Sequence, residues 1–198
     1  MTTTRRTALT AGAVALTGAL GATPASGAPS SAGPGSPALN DQRFARLLET
    51  VPASAPQLEP ALRAVVDIGD SIDIGPSPWG HRSMVPILGG RFTGPGQTGE
   101  GLQGIVLPGG ADRQLLRSDG VKELDAVYEL QTDDGTVLSV RNRVLTHTLG
   151  SDPYRRSTVT VSAPDGPYAW LNTSRFVGTL HSLKPGRKAV LVSVFRLL

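Results

Sequence analysis

The chain has 198 residues, 24 of them glycine and 16 proline, with 5% aromatics and no cysteine. Without cysteine there are no disulfides, no thiolate metal sites, no cysteine nucleophile and no lipid anchor on an N-terminal cysteine; the glycine and proline content disfavours a helical bundle and favours short strands joined by turns. The formal charge of +3 (19 basic, 16 acidic) falls to +1 without Arg5 and Arg6 of the N-terminal segment, and no basic run remains for a phosphate surface, so nucleic acid is set aside as a partner.

Residues 1–28 read as an export signal of twin-arginine type. Arg5 and Arg6 precede a mild apolar run to Ala22, and Ala25-Ser26-Gly27-Ala28 offers small residues for cleavage near Ala28. The run is too short and glycine-rich for a stable membrane anchor, so the mature chain is expected outside the cytoplasm. Residues 29–37 are a flexible linker by composition. An amphipathic helix follows over 38–52: Phe44, Leu47, Leu48 and Val51 form one stripe, Asn40 is placed to cap, and Pro52 stops it. Such a stripe covers an end or side of the following domain, or serves as a lid.

From residue 58 to 198 the pattern is all-β. Apolar runs broken by glycine, an edge or bulge at Pro86, and a hairpin signal at Asp134-Gly135 give about nine strands in an antiparallel meander. Closing the meander into a single barrel removes its edges. A two-residue turn at Asp134-Gly135 pairs Glu129 with Val140 and Val127 with Asn142. One face of this hairpin then carries Glu123, Asp125, Val127, Glu129, Val140, Asn142 and Val144, and the other Leu124, Ala126, Tyr128, Leu130, Arg141, Arg143 and Leu145. Both faces are mixed, as expected of a barrel with a partly polar lumen.

The segments "MVPILGGRFTGPG", "GIVLPGGADRQLLRSDGVKELDAVYELQTDDG", "VRNR" and "YAWLNTSRFVGT" occur in order between about Leu58 and Leu197. They resemble the bacterial and fungal domain-of-unknown-function family 3237. The resemblance implies a small antiparallel β-barrel and carries no assigned chemistry. Arg113 stands where the family commonly has tryptophan, and the segment between Thr148 and Tyr154 is shorter than in many members.

The chemistry-bearing residues narrow quickly. "GPGQTG" (94–99) matches a dinucleotide-loop spacing, but nothing after it reads as the required helix. His81, His147 and His181 have no ligand spacing, so no metal site is assigned, and no nucleophilic serine elbow is present. Asp112 and Gln114 alternate on one strand and share a face. Asp125 and Asn142 share another under the register above, and Tyr168, Trp170 and Asn172 alternate in "YAWLN". Asp112 and Asp125 are the candidate acid/base groups; Gln114, Tyr128, Arg141, Asn142, Tyr168, Trp170 and Asn172 are the candidate substrate-binding residues. A desolvated aspartate with a raised pKa transfers protons. The expected activity is therefore cofactor-free proton transfer on a small organic molecule in the lumen, of isomerase, cyclase or lyase type. The alternatives are a non-catalytic binding protein and an interaction module with a packed barrel core.

Overall fold

The computed structural model describes residues 39–99, 101–149 and 152–198. The expected export signal and linker lie outside them. The chain divides into two units at Pro52. In the first, α1 (Asp41–Thr50) is capped by the Asn40 side chain, which accepts from the Arg43 N–H at 2.9 Å. Its stripe of Phe44, Leu47 and Leu48 is exposed. No helix among the described residues is long and apolar enough to cross a membrane.

The second unit is built from β1 (Leu58–Ile68), β2 (Ile72–Ser77), β3 (Gly80–Thr93), β4 (Gly104–Val106), β5 (Ala111–Leu116), β6 (Lys122–Thr132), β7 (Val137–Leu149), β8 (Asp152–Ser162), β9 (Phe176–Ser182) and β10 (Ala189–Leu197). Every pairing is antiparallel, and β1 bonds to both β10 and β3, which closes the barrel. Both β4 and β5 lie between β3 and β6 and fill one position end to end, so the wall has eight positions with β2 as an added hairpin strand. The break between them is the Pro108-Gly109 turn. Beside it in space, the β1–β3 register slips between Asp67 and Ile68, one residue from Pro86, whose missing N–H is tolerated at such a bulge. Residues 101–103 lead into β4, and Leu102 among them is buried.

Closure demands a close approach at one glycine. Gly90 has φ +141°, and a Cβ there would stand 2.0 Å from the Val65 carbonyl oxygen. Only a residue without a side chain lets β3 dock on β1 at that point.

The β6–β7 hairpin corrects the expected register by one residue. Its loop is Asp133-Asp134-Gly135, three residues rather than two: Gly135 N–H bonds the Thr132 carbonyl at 2.8 Å and Thr132 N–H bonds the Thr136 carbonyl at 2.9 Å. Gly135 takes φ +89°, the left-handed position that ends a three-residue hairpin loop. Asp134 holds this turn. It accepts from the Thr136 N–H at 3.0 Å and from the Thr132 hydroxyl, and these bonds hold its carboxyl down at about 2. Glu129 therefore faces Ser139, Tyr128 faces Val140, and Val127 faces Arg141. A one-residue slip flips every side chain of one strand, and with the slip undone the faces separate. Leu124, Ala126, Tyr128, Leu130, Val140, Asn142 and Val144 share the inner face, while Glu123, Asp125, Arg141 and Arg143 share the outer.

"YAWLN" is not a strand. Ala169–Thr173 forms a short 3-10 helix at one end of the barrel, with Leu171 buried in the core. Around it, Leu102, Leu130 and Leu138 are all but inaccessible. That end is packed solid. The opposite end, where β1, β7 and β9 finish and β6 and β10 begin, is where the lumen widens.

Candidate functional site

The wide end of the lumen holds a cavity of about 80 Å³. Its walls are aliphatic, from Val66, Val85, Ile87, Leu124, Val144 and Val192, and the Tyr128 ring is its most deeply placed β6 contribution. The side chains of Asp112, Gln114 and Asn142, together with the phenol of Tyr128, interrupt this lining. Strand alternation sends Asp112 and Gln114 inward from β5 together. The register then aligns Asp112 with Ala126 and Ala126 with Asn142 across β5, β6 and β7. Asp112 and Asn142 thus occupy one level of the barrel, with only the methyl group of Ala126 between their strands.

Gln114 fixes the carboxyl. Its Nε2 donates to Asp112 Oδ2. The other oxygen, Asp112 Oδ1, is buried with no hydrogen-bond partner, and so is Asn142 Oδ1, although Asn142 is only 2% exposed. Buried polar atoms without partners are rare and destabilising, and a pair of them on one cavity marks a place kept for a ligand. Burial pushes the Asp112 carboxyl above the ordinary carboxylate range. The Gln114 hydrogen bond, the Lys122 charge and the nearby Asp125 backbone amide pull it back in part. Burial also lifts the Tyr128 phenol far above its ordinary value, so Tyr128 stays neutral.

The rim is braced from outside. Arg187, in the β9–β10 turn, makes a two-bond pair with Asp67 at 2.7 and 2.8 Å, and Lys188 pairs with Asp70. His81 meets Asp73 at 2.6 Å, His147 stacks on Tyr154, and His181 is exposed on β9. Among the described residues no three His, Cys, Asp or Glu side chains gather as a metal-binding group.

The family model described as "Protein of unknown function (DUF3237)" matches residues 56–197. The chain belongs to this family. A "UPF0311 protein" of Rhodopseudomonas palustris is 45% identical over 75 residues, which is 38% of this chain and 46% of the relative. One of Clostridium acetobutylicum is 40% identical over 63 residues, 32% of this chain and 37% of the relative. The chain thus spans less than half the length of these curated relatives. Among solved structures, a conserved protein of unknown function from Rhodopseudomonas palustris aligns with TM-score 0.66 at 29% identity, covering 74% of this chain and 100% of the other. A "beta-barrel like protein" from Acinetobacter baumannii gives TM-score 0.66 at 28% identity, covering 74% and 99%. A protein described as an enzyme from Penicillium herquei gives TM-score 0.59 at 22% identity, covering 75% and 98%, and shows the shared fold.

Not every expected site residue of this DUF3237 barrel reaches the cavity. Asp125 and Arg141 lie on the outer wall, on the face opposite Asn142, because of the register correction. Arg141 Nε and Nη2 donate to the two Asp125 oxygens at 2.8 and 2.6 Å, and this pair holds the Asp125 carboxyl below the ordinary range. Exposed pairs of this kind contribute little. Asp125→Asn is expected to leave lumen binding and turnover unchanged and to shift stability by less than about 1 kcal/mol, checked by urea unfolding alongside the activity assay. Tyr168, Trp170 and Asn172 sit at the packed end and serve structure. The Tyr168 hydroxyl donates to Asp134 Oδ2 at 3.0 Å. Trp170 packs edge-on against Phe176 beneath the Arg196 guanidinium. Asn172 clasps both backbone groups of Ala163 at 2.9 Å. Arg113, at the position where the family commonly has tryptophan, lines an outer depression with Trp79, Arg82 and Arg143 rather than the lumen.

Sequence reasoning did not single out the aliphatic walls from β1, β9 and β10. The signal was available: in "RAVVDIG" and "AVLVSVF" alternate residues carry the lining positions Val66, Ile68, Val190 and Val192.

Proposed function

We propose that the chain is an exported barrel that binds a small organic molecule at the wide end of its lumen and catalyses proton transfer there without a redox cofactor, Asp112 being the acid/base. The observation that carries this is the Asp112 carboxyl itself. One oxygen is held by Gln114, the other is free and buried, and the surrounding walls are aliphatic. A carboxyl in such a place titrates closer to neutrality, where it both accepts and returns a proton at low energetic cost. Gln114 holds the oxygen not used in the transfer, which leaves Oδ1 to reach the substrate C–H or O–H. Asn142, from the same level of the barrel, positions the substrate. The isomerase, cyclase or lyase class follows from chemistry that needs only one proton taken and one given. The paired arginines and small-residue cleavage site of the N-terminal segment support export.

The test is deuterium wash-in at the α-carbon of a compact hydroxyketone, with 2-hydroxycyclohexanone as probe and the full chain as catalyst. The expected result is exchange faster than in buffer, inhibited by lumen ligands. Exchange at the buffer rate contradicts the assignment.

A further inference from the structure

We propose that the lumen recognises an uncharged ligand through two hydroxyl groups, one bonded to Asp112 Oδ1 and one to Asn142 Oδ1. This rests on the lumen being the binding site and adds the chemical class of what enters it. Both oxygens are buried without partners and border the same cavity, and Asn142 is almost wholly buried.

The class follows from counting donors and acceptors. A ligand carboxylate or phosphate offers only acceptors, and an amide oxygen offers none of the protons they need. No lysine, arginine or histidine lines the cavity to balance such a charge. An ammonium group offers three donors. It also carries a full charge, which it would have to desolvate among Val66, Val85, Ile87 and Leu124, with Asp112 as the one acidic side chain on the wall. Desolvating that charge costs more than the bonds to Asp112 and Asn142 return. The Lys122 charge, felt by Asp112 from the start of β6, further disfavours a cation.

A hydroxyl has one donor and two lone pairs. It donates to Asp112 as carboxylate and accepts from it as carboxylic acid, so it stays bonded through a proton-transfer cycle in which Asp112 changes state. A second hydroxyl supplies the donor that Asn142 Oδ1 lacks. The cavity of about 80 Å³ admits a single compact group of this kind, with the rest of a larger ligand left at the open end.

The experiment compares four probes on one carbon frame, binding to the full chain: cyclohexane-1,2-diol, cyclohexanol, cyclohexylamine and cyclohexanecarboxylate. Binding is followed by NMR shifts of the Asn142 side-chain amide and the Leu124 and Val144 methyl groups. The diol is expected to bind about tenfold more tightly than cyclohexanol, the increment of one good hydrogen bond to a buried acceptor. In Asn142→Leu, an apolar replacement of similar size that keeps the barrel packed, cyclohexanol binding persists and the diol advantage disappears. Tighter binding of the amine or the carboxylate than of the diol overturns the inference alone, as does a diol advantage that survives Asn142→Leu. Lumen resonances that none of the four probes moves overturn the lumen site itself.

Discussion

Asp112→Asn is expected to lower the proton-transfer rate by about a hundredfold to ten-thousandfold, the range of a lost general acid/base, while the barrel stays folded. The change is nearly isosteric. Asparagine keeps an oxygen to accept from Gln114 Nε2 and removes only the capacity to carry a proton. Binding of the diol probe falls far less than turnover, because the amide NH2 that takes the Oδ1 position donates to the same hydroxyl. The variant also carries a stability signature with a fixed sign. Burial raises the folded-state pKa of Asp112 above its unfolded value of about 3.9. The folded chain therefore holds this proton more tightly, and the group's stabilising contribution is complete below about pH 3.9 and is lost as pH rises through the folded-state value. Asp112→Asn abolishes that loss. Relative to wild type it gains stability as pH rises from about 4 and the gain levels off above the folded-state pKa, measured as the difference in urea midpoint across pH. A residue that reduces stability at working pH and is needed for turnover is a mark of a functional group.

Gly90→Ala is expected to destabilise the barrel by about 3 kcal/mol or more, because strain at φ > 0 adds to a direct backbone collision. The new Cβ meets the Val65 carbonyl oxygen at 2.0 Å, at the seam where β3 docks on β1 and the barrel closes. A flexible side chain would yield; a backbone carbonyl in a sheet does not. Gly135→Ala is the control. Its φ of +89° is also on the side that L residues disfavour, but nothing lies within 4 Å of the added methyl. Its cost is the conformational term alone, about 1–2 kcal/mol. Equilibrium unfolding of both variants separates collision from strain, and equal losses would show that the seam is looser than its geometry.

How much of this was legible in the sequence depended on the range of the interaction that fixed it. The inward pairing of Asp112 and Gln114 needed only strand alternation, a property of the local chain. The identity of the cap at Asn40 was equally local. The failures came from one turn and one helix. Asp133-Asp134-Gly135 reads as either a two- or a three-residue loop. The choice is made by Gly135 in the left-handed region and by Asp134 binding the Thr136 amide, and it parts Asp125 from Asn142, with Asp125 and Arg141 on the outer wall and Asn142 on the inner face. Once that slip is removed, the mixed faces that argued for a polar lumen become one apolar face with Asn142 in it and one charged face. In "YAWLN" the aromatic alternation suits a strand. Partners outside the segment decide otherwise, with Asp134, 34 residues away, holding the Tyr168 hydroxyl and Ala163, nine residues away, holding Asn172. The Asp112–Ala126–Asn142 level spans three strands, so the site became visible only after both hairpin registers were set.

The most direct measurement is a pH titration of the two aspartate side-chain carboxyl carbons by NMR, on the full chain with and without cyclohexane-1,2-diol. Asp112 is expected to titrate above the ordinary carboxylate value of about 3.9 and to shift on adding the diol, while Asp125 titrates below that value and does not respond. An Asp112 midpoint at or below the ordinary value, unmoved by the diol, would contradict a buried, ligand-facing acid/base in the lumen.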